Sequence, residues 1–120
     1  MSLEWEQIIV DSRDPAALGR WWLEALGWVV VDDDPRWYEI RPTPDRMPGL
    51  LFVPVDDPKT VKNRLHIDLR PDDRDAEVAR LEALGATRAD IGQGDDVSWV
   101  TLADPEGNEF CVLSSRRTGA

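Results

Sequence analysis

Leu23-Glu-Ala-Leu-Gly27 recurs letter for letter as Leu81-Glu-Ala-Leu-Gly85, 58 residues downstream. At the same offset, Pro48-Gly-Leu-Leu-Phe52 stands opposite Glu106-Gly-Asn-Glu-Phe110. Leu-Glu-Ala-Leu-Gly is a common way for a helix to end, which would account for the first match alone. It does not account for a second match, at one offset, in a different kind of segment. An internal duplication accounts for both, and self-similarity at a fixed period decides a fold before any single element is assigned.

Working outward from the repeat, both halves read alike. Glu4 to Asp11 predicts a strand that ends in the Ser12-Arg-Asp-Pro15 turn. Ser12 or Asp14 suits an N-cap, and Pro15 suits the first helical position, where its missing N–H is no loss. Leu18, Trp21, Trp22, Leu23 and Leu26 then recur at helical spacing, and Gly27 can close the helix in a left-handed conformation. Three short strands follow at Trp28–Asp32, Arg36–Arg41 and Leu50–Pro54. In the second half, Arg64–Arg70 predicts a strand, and Pro71-Asp-Asp leads into a helix through Leu84. Val78, Leu81 and Leu84 form its apolar stripe, with Gly85 after it. Ala86–Ile91, Val97–Ala103 and Asn108–Ser114 predict strands, and Asp104-Pro-Glu-Gly107 is a turn. The tail from Arg116 is expected to fray.

The expectation is an α+β fold of two tandem βαβββ modules within one domain, residues 1–120. Module one covers about 4–54, a linker 55–62, and module two about 63–114. Such a unit leaves one sheet face uncovered. The two helices are expected on the outer face of a curved mixed sheet, with an open concave groove on the other.

Composition limits the partners. Of 120 residues, 42% are hydrophobic and six are Trp, enough for a packed core and unlike a disordered chain. Fourteen Lys+Arg against 24 Asp+Glu give a net charge of −10. Only Lys59 and Lys62 are lysines, so the basic footprint of a nucleic-acid binder is missing, and anionic membrane surfaces are disfavoured. Apolar runs such as Trp28–Val31 are too short to span a bilayer, and the first residues carry no secretory pattern. A lone cysteine, Cys111, agrees with a reducing compartment, so the expected location is cytoplasmic.

Strand alternation selects the side chains of the open face. Leu65, Ile67 and Leu69 are expected against the helix, with Arg64, His66 and Asp68 opposite. Likewise Trp5, Gln7 and Ile9, then Leu51 and Val53, then Glu109, Cys111 and Leu113 are expected on the open side. His66 is the one histidine. With Asp68 orienting its ring it is a candidate general base near neutral pH; alternatively, Arg64, His66 and Asp68 are a polar row that only holds the sheet. Cys111 reads either as a nucleophile or as an inert buried hydrophobe. Trp37 and Trp99 can stack on a flat ligand, whereas Trp21 and Trp22 suit packing or a dimer contact. The acidic clusters, including Asp32-Asp-Asp34 and Asp95-Asp96, fall in turns and match no calcium-loop spacing. Neither a phosphate-binding glycine loop nor a Ser-His-Asp elbow is present.

The double βαβββ plan resembles the vicinal oxygen chelate superfamily, which includes glyoxalase I, extradiol dioxygenases, and fosfomycin- and bleomycin-resistance proteins. Asp14-Pro-Ala-Ala-Leu-Gly-Arg-Trp-Trp-Leu-Glu-Ala-Leu-Gly27, Lys62-Asn-Arg-Leu-His-Ile-Asp-Leu69 and Asp104-Pro-Glu-Gly-Asn-Glu-Phe-Cys111 carry the resemblance. It implies four metal-ligand positions, which fall on Gln7, Val53, His66 and Cys111. Val53 cannot bind a metal, and Cys111 stands where metalloenzymes of the family usually carry Glu. A hard divalent ion wants oxygen ligands, so no cofactor is expected. The minor alternative is a divalent metal on Gln7, His66 and Cys111, with Glu109, Asp68 or Asp11 moving in.

The resulting expectation is a protein that binds a small aromatic or oxygenated metabolite with Gln7, Trp37, Val53, Arg64, Asp68, Trp99, Glu109 and Cys111. One alternative is a lyase, isomerase or dioxygenase-type enzyme using His66 as base or metal ligand. Another is sequestration of a cationic drug, as in bleomycin-resistance proteins. Composition and spacing leave open whether any reaction is catalysed. The resemblance also implies a homodimer.

Overall fold

The computed structural model describes residues 2–90, 92 and 97–116. The chain contacts fall into two units, Met1–Pro58 and Lys59–Ala120. Each contains one βαβββ module, and the strands form two mixed four-stranded sheets. Module one runs β1 (Gln7–Ser12), α1 (Pro15–Leu26), β2 (Val29–Asp34), β3 (Trp37–Arg41) and β4 (Gly49–Pro54). Module two runs β5 (Ile67–Leu69), α2 (Arg74–Ala83), β6 (Thr87–Arg88), β7 (Val100–Ala103) and β8 (Glu109–Val112). The strand orders are β1-β4-β3-β2 and β5-β8-β7-β6. In both, the first strand lies parallel to the last, and the remaining pairs are antiparallel.

Local chemistry explains the helix ends. Asp14 accepts from the Ala17 amide at 3.2 Å, and Asp73 does the same for Ala76 at 3.1 Å. Of the two N-cap residues considered for α1, Asp14 is therefore the cap; Ser12 instead accepts from the Asp14 amide at 3.0 Å. Gly27 closes α1 at φ 68°, a conformation that disfavours side chains with a Cβ. The helix α2 begins only at Arg74, because Asp73 is its cap rather than part of its first turn.

Each module buries the helix-facing side of its sheet. In module one Leu18 and Trp22 of α1 belong to the core with Tyr38, Ile40, Leu50 and Phe52. The approach of helix to sheet is close: a Cβ at Gly19 would collide with the Tyr38 ring. In module two Val78 and Leu81 are buried, as are Leu102, Phe110 and Val112. Phe52 and Phe110, the repeat-equivalent aromatics, are 0% and 1% exposed.

Several strands are shorter than alternation predicts. The predicted strand Arg64–Arg70 narrows to Ile67–Leu69, because the preceding residues bend away from the ladder. Leu65 is consequently 88% exposed rather than packed on a helix. Trp5 and Trp99 precede β1 and β7 instead of lying within them. Leu84 caps α2 and is half-buried. Ile91, Asp95-Asp96 and the tail from residue 117 lie outside the described residues. No helix is long and apolar enough to cross a membrane among the described residues.

Candidate functional site

The centre of the open face of module one, on β1 and β4, carries the hydrocarbon of Ile9, Leu51 and Val53, with charged side chains around it. Ile9 on β1 is 58% exposed, and its register partner on β4 is Leu51. Two residues further on, Asp11 stands beside the half-buried Val53. Gln7 opens β1 opposite Gly49, whose amide donates to the Glu6 carbonyl at 3.0 Å. The one cation on this side of β3, Arg41, is held by Glu39 at 2.9 Å and Glu6 at 3.0 Å. Trp37 offers less of a platform than its sequence position suggests. Its indole N–H donates to Asp32 at 2.7 Å, and the Arg36 guanidinium lies 4.3 Å over its ring. It closes the β2–β3 hairpin, while Trp99 remains 37% exposed in module two.

The corresponding face of module two is polar. Asp68 is the register partner of Cys111 in the parallel β5–β8 pair, and Thr101 is the partner of Cys111 on β7. Three neighbouring strands therefore place Asp68, Cys111 and Thr101 in one row. His66 Nε2 lies 3.1 Å from Asp68 Oδ1, and Cys111 Sγ lies 3.5 Å from Thr101 Oγ1. The ligand-type atoms of His66, Asp68 and Cys111 all lie within 4.8 Å of one another. His66 and Asp68 are open to solvent, whereas Cys111 is 3% exposed. Burial pushes the Cys111 thiol up and the Asp68 carboxylate adds to that, with the Thr101 hydroxyl pulling the other way.

Glu109 and Arg64 have different surroundings. Lys59 Nζ sits 3.0 Å from Glu109 Oε1, and the Asn63 amide donates to Oε2 at 3.2 Å. Burial alone would raise this carboxyl; its own backbone amide, Lys59 and Asn63 outweigh burial and leave it below its ordinary value. Glu109 is thus already engaged in tying residues 59–63 to β8. Arg64 is exposed ahead of β5 and outside the strand.

Register also corrects one correspondence between the repeats. Distance to the helix end matches Gln7 with His66. Strand pairing instead sets Asp11 beside Val53 as Asp68 sits beside Cys111. The residue equivalent to His66 in module one is therefore Ile9, and Gln7 corresponds to Arg64. Sequence reading missed Thr101 and the bracketing of Glu109 by Lys59 and Asn63. Alternation from Trp99 would have found Thr101; the second depends on a bend with no local signal.

The four positions that the resemblance assigns to a metal do not fit a hard divalent ion. Module one offers an amide oxygen at Gln7 and hydrocarbon at Val53. A dication of that class needs several oxygens. The donors are concentrated in module two.

The model of the glyoxalase-like domain family matches residues 7–113. The chain belongs to the glyoxalase-like domain family. This agrees with the vicinal oxygen chelate resemblance carried by the helix-end and turn motifs. Solved structures of other proteins share the fold. An antibiotic-binding protein from Streptomyces sp. CB03234 is 22% identical with a TM-score of 0.66, covering 97% of this chain and 99% of that one. The bleomycin resistance determinant encoded on transposon Tn5 is 18% identical with a TM-score of 0.62, covering 96% and 100%. The trypanothione-dependent glyoxalase I of Leishmania major is 15% identical with a TM-score of 0.69, covering 94% and 87%. No curated protein shows significant sequence similarity to the chain. Proteins sharing this fold thus include an antibiotic-binding protein, a resistance determinant and an enzyme.

Proposed function

We propose that this glyoxalase-like protein binds a small aromatic or oxygenated molecule, without the four-ligand metal site of its metal-dependent relatives. The observation that carries this reading is the hydrocarbon at the centre of the open face of module one, where Ile9 lies beside Leu51 and Val53 occupies a ligand position next to Asp11. Apolar walls with a few polar groups suit small-molecule capture. Gln7 adds a hydrogen-bonding group to that face, and module two carries stacking and hydrogen-bonding groups of its own in Trp99 and the His66–Asp68 pair. The antibiotic-binding and bleomycin-resistance relatives support a binding role, and the net charge of −10 favours a cationic ligand by steering.

Native mass spectrometry of freshly purified protein tests the reading. An organic adduct whose retention falls in Val53→Asp supports it. Glyoxalase I activity after reconstitution with Ni²⁺, Zn²⁺ or Mn²⁺ would overturn it.

A second reading is favoured by one contact. His66 Nε2 lies 3.1 Å from Asp68 Oδ1, an arrangement that orients an imidazole for general-base work in a lyase or isomerase. The proposed assembly is a homodimer in the cytoplasm. Edge strand β2 supports it by leaving Val29 and Val30 39% and 45% exposed.

A further inference from the structure

The β2–β3 hairpin of module one already holds a cation in a built seat. Pro35 and Arg36 join the two strands, and the Arg36 guanidinium lies 4.3 Å over the Trp37 ring. Its Nε donates to Asp34 Oδ1 at 3.0 Å and its Nη2 to Asp34 Oδ2 at 3.3 Å. The guanidinium thus makes a two-pronged fork to one carboxylate, with an aromatic floor beneath it. Asp32, which accepts from the Trp37 indole N–H, adds a second negative charge nearby.

The seat stays assembled without the Arg36 side chain. Asp34 Oδ1 also accepts from the Arg36 backbone amide at 2.9 Å, so the carboxylate keeps its orientation. The Trp37 indole is pinned to Asp32 at 2.7 Å. The Arg36 side chain itself is 71% exposed, and an exposed ion pair of this kind is held weakly. Register places the seat on the open face of module one. Tyr38 and Ile40 are buried on the helix side, so Trp37 and Glu39 alternate to the other. Asp34 is the partner of Trp37, and Asp32 that of Glu39. Glu39 in turn pairs with Leu51, which stands beside Ile9. The seat therefore borders the hydrocarbon at the centre of that face.

We propose that Asp34 and Trp37 form a seat for the planar cationic group of a ligand, a guanidinium or amidinium, and that Arg36 is a tethered competitor which this group displaces. Arg36 displays the shape the seat accepts: flat, cationic and able to donate two parallel hydrogen bonds. An ammonium group offers no such fork, and a neutral flat molecule gains no attraction from the carboxylate or as a cation over the ring. Arg36 also sets a threshold. A molecule that fits less well than a guanidinium leaves the ring covered, so the tethered group rejects as well as mimics. The inference rests on the organic-ligand reading and narrows it to one chemical class.

The test is titration of the full-length protein with phenylguanidine, and with the neutral isostere phenylurea, read at the indole N–H resonance of Trp37. Expected is a saturable shift with phenylguanidine and none with phenylurea. Arg36→Ala should tighten phenylguanidine binding by about three- to tenfold, the weight of the exposed contacts it removes. Arg88→Ala removes the same charge from β6 and should leave the affinity unchanged, which separates competition from net charge. Adding Asp34→Asn to Arg36→Ala should weaken binding by about tenfold or more. Circular dichroism checks that the variants fold. No Trp37 shift in Arg36→Ala, an affinity that Arg36→Ala does not raise, or an equal response to phenylurea would overturn the proposal. Such a failure leaves the organic-ligand reading standing if the native protein retains an adduct that Val53→Asp releases. Glyoxalase I activity of the metal-reconstituted protein would remove that reading while leaving the phenylguanidine shift in place.

Discussion

The two modules share strand order, pairing and buried aromatics, yet their open faces differ around a shared carboxylate. At register-equivalent positions, module one carries Ile9, Asp11 and Val53, and module two carries His66, Asp68 and Cys111. The carboxylate is common to both, while the two residues around it change from hydrocarbon to donor. Leu51 and Glu109 differ in the same way at their shared position. The buried faces show the reverse, since Phe52 and Phe110 are the same residue in the same setting. After duplication, packing is constrained by the helix on one side, whereas the uncovered side is free to diverge. Each module therefore serves as an internal control for the other.

The largest effect should come where the modules agree. Phe52→Ala and Phe110→Ala should each lower unfolding stability by about 3–5 kcal/mol, as truncation of a buried Phe usually does. Urea denaturation checks this, and a large inequality between the two would mean that the cores are not equivalent. A smaller effect separates the modules. Gly19→Ala forces a methyl into the Tyr38 ring and should cost about 1–3 kcal/mol by overpacking. Its repeat equivalent, Glu77→Ala, loses the surface pair with Arg80 and a carboxylate in the first turn of α2, and should cost about 0.5 kcal/mol. Thermal melts of the two variants would break the comparison if their losses matched.

A third effect concerns the Leu51/Glu109 position. The Glu109 carboxyl is held below its ordinary value near 4.5, so its contribution is complete above that value. It is lost as pH falls through the lower value of the folded state. Glu109→Gln should therefore lower stability near neutral pH by about 1 kcal/mol. That difference should shrink as pH drops below the ordinary carboxyl range. Melting temperature against pH checks the sign, and a gap that widened in acid would refute it.

Much of the fold was legible because its decisive signals are local. The repeated Leu-Glu-Ala-Leu-Gly, the Asp14-Pro15 start and the Gly27 stop lie within a few residues of the structure they specify. The strand around His66 was less legible. Alternation assigns a face only where the chain is extended, and the bend before Ile67 leaves Leu65 in solvent. Asp68 and Cys111 could be named from sequence, but their pairing depends on the β5–β8 register between residues more than forty positions apart. The matching of Gln7 to His66 failed for the same reason: distance to a helix end is not strand register. No local pattern indicates that Lys59 and Asn63 hold Glu109.

His66, Asp68, Thr101 and Cys111 all belong to the Lys59–Ala120 unit. Their grouping follows from one polypeptide segment and its own hydrogen-bonded ladder. If two copies of the chain exchanged equivalent modules, the inventory of these side chains in each segment would be unchanged. Assembly by exchange could then vary without rewriting the polar row, whereas any feature drawing on both segments would acquire a different parentage. The duplicated architecture thus allows the history of the assembly and the history of this chemistry to be inherited separately.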